Sequence, residues 1–301
     1  AAWFTLSGSL RPVEGLIPES EIESEYNFIQ VVQRGQTRYL LLNEGQGIHS
    51  GYDPGRLETF GTWDYFLAAP HFNDPPARVE SLAVVGLAAG TIPKQYTAVY
   101  GPIPIDGFEI DGAIVESGRR FFAMTEPNLN VHVVDGRWGL AHAARRYSVI
   151  GVDAYRLPYI PWHLTTREFF QEARARLADD GVLVINVGRT FTDRRLVEAL
   201  AGTLRAVFPS VHAVDVPNSF NTILYATARP SRAESLAVNR ARLPAGTHPL
   251  LQSVLDRAVQ NLQPDPPAGP VFTDDWAPIE QLTNALVIDF FLGGQAEQLL
   301  R

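Results

Sequence analysis

Residues 78–91 read RVESLAVVGLAAGT, and residues 103–111 read IPIDGFEID. An apolar run ends in a turn of small residues, a helix-length segment follows, and a second apolar run ends in an acid. The first run is short and unbroken, the pattern of a strand buried on both faces of a parallel sheet. Gly86, Ala88, Ala89 and Gly90 leave little side chain at its carboxyl end, so a ligand can approach the backbone there. Glu109 falls at the carboxyl end of the next strand, about 20 residues on, where one carboxylate can accept both hydroxyls of a ribose. The pair describes a nucleoside-binding crevice. A plain β-α-β unit with a tight turn is the alternative, because Gly-x-Ala-x-Gly is looser than Gly-x-Gly-x-x-Gly.

Outward from this stretch the periodicity alternates between strand and helix. Strands are predicted at 79–85, 103–109, 130–134, 147–152, 181–187, 211–216 and 221–228. Helices are predicted at 91–100, 111–122, 138–145, 166–178, 192–207, 232–241, 247–262 and 279–298. Gly181, after Asp179 and Asp180, reads as a helix stop leading into a buried strand. The last two strands are joined by Pro217–Asn221, too short for a crossover helix, so they form an antiparallel hairpin. The result is five β-α units and a terminal hairpin. Before them, residues 1–20 read as an irregular lead-in, and Glu25–Val32 and Thr37–Asn43 form a hairpin turning at Arg34-Gly35. A third short strand begins at Ile48, and Asp53-Pro-Gly55 marks the way out. Thr59–Ala69, rich in aromatics, reads as a helix ending before Pro70. The expected organisation is a lead-in and small β-hairpin domain over 1–57 and an α/β, Rossmann-like domain over 58–301.

At 301 residues, 46% hydrophobic and 19% charged, the chain is an ordinary globular protein. Its formal charge of -8 offers no basic excess for nucleic-acid phosphates; an acidic surface suits a cationic substrate. The absence of cysteine excludes disulfides and thiolate chemistry. The seven histidines show no ligand spacing, and no metal site is expected. No run reaches membrane-spanning length. The first residues lack the charged start and apolar core of a signal peptide, although they can be the cut edge of something longer.

In an open α/β sheet the ligand lies beyond the carboxyl ends of the strands. The candidates there are Gly86–Gly90, Glu109, Asp135 with Gly136, Asp153 and Asn186. A carboxylate so placed can bind ribose, bind an adenine amino group, or take a proton from an attacking amine. Asp111 and Asp135 also suit helix N-caps. Asp153 does not, because Ala154–Pro161 does not start a helix. His163 suits a pocket wall or a surface loop equally. Trp63, Tyr65 and Trp276 read either as an aromatic lid or as core packing, and Asp274-Asp275 as a cation site or a helix cap.

These features resemble the spermidine synthase (polyamine aminopropyltransferase) family, and within it the membrane-linked branch. Ser24-Glu-Tyr-Asn-Phe-Ile29 is similar to the family's opening of the small β domain. Leu42-Asn43 with Ile48-His49-Ser50 falls where that family has Leu-Asp/Asn-Gly and then a Gln-Ser or Gln-Thr pair. Tyr147–Asp153 resembles the strand that delivers the catalytic acid, and Ile160–Phe169 and Thr273–Pro278 resemble segments of the membrane-linked branch. The resemblance implies the seven-stranded sheet of S-adenosylmethionine-dependent methyltransferases with a small N-terminal antiparallel β domain. It implies transfer of an aminopropyl group from decarboxylated S-adenosylmethionine to an amine or polyamine, releasing methylthioadenosine, without a metal. Gly86, Ala88, Gly90, Glu109, Asp135, Gly136 and His49 would bind the co-substrate. Asp153, with Tyr155, would act on the attacking amine; Asp64, Tyr65, His163 and Trp276 would face the acceptor. A cytoplasmic homodimer, tethered to a membrane in a longer parent chain, goes with that picture. The departures are specific. Ala89 stands where the family's nucleotide loop has an acid, Arg156 where its catalytic strand has a second Asp, and Trp63-Asp64-Tyr65 where its gate has Tyr-His-Glu. They point to an unusual acceptor. They also keep open a methyltransferase using the undecarboxylated donor, or a non-catalytic adenosine- or polyamine-binding domain.

Overall fold

Consecutive residues of the buried strands enter two different cores, which makes the architecture three layers. Ala83, Val85, Ile150, Val152, Leu183 and Ile185 pack into one core, and their neighbours Leu82, Val84, Val149, Val182 and Val184 into the other. Side chains that alternate across a pleat need a helical layer on each face. The computed structural model describes residues 13, 15–43, 47–155, 159–267 and 269–292, with side chains to 288.

A small antiparallel sheet comes first, in the order β1 (Ile17–Glu23), β2 (Phe28–Arg34), β3 (Thr37–Leu42) and β4 (Ile48–Tyr52). After it, a 3-10 helix at Thr62–Phe72 contains Pro70. The expected helix stopping before Pro70 is thus displaced and of the tighter kind. The second sheet is built from β5 (Leu82–Val85), α1 (Thr91–Tyr100), β6 (Ile105–Glu109), α2 (Gly112–Phe121), β7 (Leu129–Val133), α3 (Gly136–Ala141), β8 (Tyr147–Val152), α4 (Arg167–Arg176), β9 (Leu177–Gly188) and α5 (Arg195–Arg205). The hairpin β10 (Ser210–Asp215) and β11 (Asn221–Thr227) follows, then α6 (Ser235–Ala241), α7 (Pro249–Gln260), β12 (Leu262–Gln263) and α8 (Ile279–Leu292).

The strand order is β12-β10-β11-β9-β8-β5-β6-β7, with β5 to β9 parallel and the rest antiparallel. The seven expected strands are present, and β12 adds an eighth at the edge of β10. The small sheet gains β1, which the lead-in reading did not contain; Pro18 interrupts its alternation, and Pro18–Ser20 is a register irregularity. Gly181 is not a helix stop. Helix α4 ends at Arg176, and Gly181 lies inside β9, where the register with β8 shifts between Tyr147 and Val149.

The two sheets meet over α2. Ile29, Val31, Leu40 and Leu42 pack with Ile114 and Phe122 in one buried cluster. Ser24 Oγ and Asn27 Nδ2 both donate to Asp111 Oδ2, at 2.6 and 3.0 Å, while Asp111 Oδ1 caps α2 through Ala113 N–H. The small sheet is thereby held over the carboxyl end of β6.

Candidate functional site

A cavity of about 800 Å³ lies along the carboxyl ends of the parallel strands, from the residues after β7 to the β10–β11 turn. At the usual strand spacing that is a span of roughly 24 Å. Tyr26 and His49 from the small sheet and Thr283 and Leu286 from α8 close it from above the strands. Strand β5 has β6 on one side and β8 on the other, so the chain order reverses there, and this is where such sheets open a crevice.

The β6–β7 half is set mainly by backbone. Gly86 has φ +85°, and a Cβ on it would lie 2.7 Å from Ala154 Cα and from Asp153 O. Only glycine lets β5 and the segment after β8 approach this closely. Ala88 also takes positive φ, and its N–H donates to Glu109 Oε2 at 2.9 Å; Asp111 N–H donates to Oε1 at 3.1 Å. Ile110 N–H also favours the Glu109 carboxylate, which still has acceptor capacity left for a ligand hydroxyl. Burial raises its pKa, and the backbone N–H groups oppose the rise. Asp135 accepts from Trp138 N–H at 2.9 Å, the N-cap reading, and its other oxygen lies 3.0 Å from His163 Nε2. Both residues line the cavity, and the His163 hydrogen bond is the main cause of Asp135's lowered pKa. Gly136 packs on β5, where a Cβ would meet Val85 Cγ1 at 2.5 Å. His49 has a buried Nε2 with no partner among the described residues, and burial lowers its pKa to about 4, so the ring is neutral.

The β8–β11 half is set by side chains. Asp153 Oδ1 accepts from Asn186 Nδ2 at 2.9 Å, and the Trp63 side chain also hydrogen-bonds to Asp153. Asn221 Nδ2 donates in turn to Asn186 Oδ1 at 2.9 Å. Burial outweighs these donors and pushes the Asp153 carboxyl up to about 7. Tyr155 donates to the Asn186 carbonyl at 3.1 Å; burial, with the Asp153 charge beside it, raises its pKa and keeps it a phenol. The departure at Arg156 lies outside the described residues.

Four expected site residues are not on the cavity wall. Asp64 is fully buried and accepts from Thr59, Phe60 N–H, Gln95 and Arg257, a knot that fastens the linker between the sheets to α1 and α7. Tyr65 is buried in the core beside Phe66 and Tyr225. Gly90 has φ +86° and turns the chain into α1 behind the wall. Trp276 is exposed and stacks edge-on against Phe272. Asp274, read with Asp275 as a cation site or a helix cap, pairs with Arg137, which also holds Glu172 and donates to the His163 carbonyl. Trp63, read as a lid aromatic, lies on the wall beside Asp153, whereas Asn221, Thr283 and Val287 carried no signal in the sequence. Only the hairpin register, pairing Asn221 with Gly188, brings Asn221 to Asn186.

The fold places the chain in the class of methyltransferase-type α/β sheets with a small N-terminal antiparallel sheet. Residues 102–229 match the family model described as "Spermine/spermidine synthase domain". Over 279 residues the chain is 31% identical to a protein named "Probable polyamine aminopropyl transferase" from Bifidobacterium longum, covering 87% of this chain and 61% of that one. It is 33% identical over 155 residues to the polyamine aminopropyltransferase of Vibrio vulnificus, half of each chain. The structure of a probable spermidine synthase from Corynebacterium glutamicum superposes with a TM-score of 0.63 at 19% identity, over 79% of this chain and 94% of that one, a likeness of fold. Residues 102–229 are thus a domain of the spermine/spermidine synthase family. The chain spans about three fifths and one half of the length of these two curated relatives.

Proposed function

We propose that this chain is an aminopropyltransferase that moves an aminopropyl group from decarboxylated S-adenosylmethionine to an amine, releasing methylthioadenosine. The observation that carries the reading is one cavity with Glu109 and Asp153 on either side of Gly86. In this reading Glu109 holds the ribose hydroxyls, Asp135 meets the adenine amino group, and His49 packs over the nucleoside as a neutral ring. A sulfonium leaves without protonation, so the protein's tasks are alignment and removal of a proton from the acceptor ammonium. Asp153, with a pKa near 7, takes that proton, and Asn186 and Trp63 aim it. Tyr155 borders the same position.

A second reading, methyl transfer from the undecarboxylated donor, draws on two features. Ala89, buried with its N–H bonded to Ser50 Oγ, offers no carboxylate for a donor's amino end. Arg189, on the cavity wall, is a cation suited to a donor carboxylate. Calorimetry with both donors and methylthioadenosine separates the two. Preference for the decarboxylated donor, with methylthioadenosine released on adding an amine, supports aminopropyl transfer; preference for the carboxylated donor overturns it. A cytoplasmic location follows the same reading. The homodimer and the membrane tether rest on the resemblance alone; among the described residues no helix is long and apolar enough to cross a membrane.

A further inference from the structure

Among the described residues, the acceptor end of the cavity lacks what a diamine needs. Four carboxylates line the cavity among the described residues. Glu109 and Asp135 follow β6 and β7, and Glu25 sits on the segment bonded to Asp111, so three belong to the nucleoside end. Asp153 alone serves the other end. Beyond it the wall is formed by the neutral amides Asn186 and Asn221 and by Leu196, Phe220, Leu286 and Val287. The Asn186 and Asn221 amide donors are directed along the wall toward Asp153. The charged residue at this end, Arg189, is a cation. It shares Asp215 with Arg194, so two guanidinium groups face one carboxylate. From Asp153 to Arg167 the sequence contains no further acid. A second ammonium brought there loses water and meets like charge, with no carboxylate among the described lining residues beyond Asp153 to compensate it.

Building on the transferase reading, we propose that the acceptor is a primary amine with an uncharged apolar tail, the amine at Asp153 and the tail against Leu196, Phe220 and α8. The step balances. Asp153 takes one proton from the ammonium; the nitrogen lone pair forms the C–N bond as the C–S bond breaks, and the sulfur keeps that pair in methylthioadenosine. The product is a secondary ammonium, and Asp153 returns its proton to solvent. Thr283, whose hydroxyl is buried without a partner among the described residues, gives the tail pocket one polar point.

Three near-isosteric acceptors test this with the decarboxylated donor: n-pentylamine, putrescine and 5-aminopentanoate, which end in a methyl, an ammonium and a carboxylate. Release of methylthioadenosine should show kcat/KM for n-pentylamine above that for putrescine by about tenfold or more. Val287→Glu, or Thr283→Asp if the first variant folds poorly, places an acid at this end and should move the ratio toward putrescine by about tenfold. Preference for putrescine in the wild type overturns the inference and leaves the transferase reading standing. So does preference for 5-aminopentanoate, which would make Arg189 a carboxylate reader. A ratio unmoved by both variants also contradicts it. If no amine releases methylthioadenosine although calorimetry shows that the nucleoside binds, the transferase reading fails and the inference falls with it.

Discussion

The two halves of the cavity are built by different means. In the nucleoside half, Glu109 is clamped by the N–H groups of Ala88 and Asp111, and Gly86 lets two strand ends meet. The Glu109 clamp itself lies within about one β-α-β unit, from β5 to the start of α2. In the amine half, Asp153 depends on Trp63, Asn186 and, through it, Asn221, residues separated by long stretches of chain. A site fixed by backbone tolerates little change, whereas one assembled from side chains can be re-specified by a few substitutions. In the proposed reading Ala89 and Arg156 remove acids that would grip amines, while Glu109, the acid proposed for the ribose, is in place.

Breaking each half in turn tests that contrast. Asp153→Asn removes the proton acceptor and keeps the size of the side chain. It should cut methylthioadenosine release by about 100-fold or more while leaving donor affinity within a few fold, measured by turnover beside calorimetry. Glu109→Ala should do the converse. Methylthioadenosine affinity should fall about 100-fold with the loss of two hydrogen bonds to a charged group. The variant should also unfold at lower temperature, because the Ala88 and Asp111 N–H groups lose their acceptor. Unchanged affinity would remove β6 as the nucleoside strand.

The same contrast explains what could be read before the fold was known. Strand β8 and helix α1 fall on their predicted boundaries because an unbroken apolar run and a Gly-flanked amphipathic segment are local signals. Gly181 misled because Asp-Asp-Gly is good helix-stop chemistry; here the strand absorbs it at a register shift, which depends on its partner β8. Strand β12 has two residues and no pattern to detect. Asp64 looked like a gate acid by position, but Gln95 and Arg257, remote in sequence, bury it in a structural knot. The Asn186–Asn221 contact depends on strand register, which composition does not encode.

Smaller effects sharpen the picture of the amine half. Asn186→Ala removes a donor that favours the carboxylate, so the Asp153 pKa should rise further and turnover at pH 7 should drop about tenfold, with partial recovery at higher pH. Asn221→Ala, one hydrogen bond more remote, should lower turnover only about twofold to fivefold and leave methylthioadenosine affinity unchanged. An equal loss of nucleoside affinity in either variant would show that the halves are coupled.

The most direct test of Asp153 as the proton acceptor is the pH dependence of kcat at saturating donor and amine, in the wild type and in Asn186→Ala. The carboxyl accepts a proton only when ionised, so kcat should fall about tenfold per unit as pH drops below its pKa and level off above it. The inflection is expected at or below about 7, since the free protein's Asp153 titrates near 7 and a bound sulfonium favours the carboxylate. In Asn186→Ala it should move upward. A profile that stays flat from acid to neutral pH, or an inflection that Asn186→Ala leaves in place, would contradict the account.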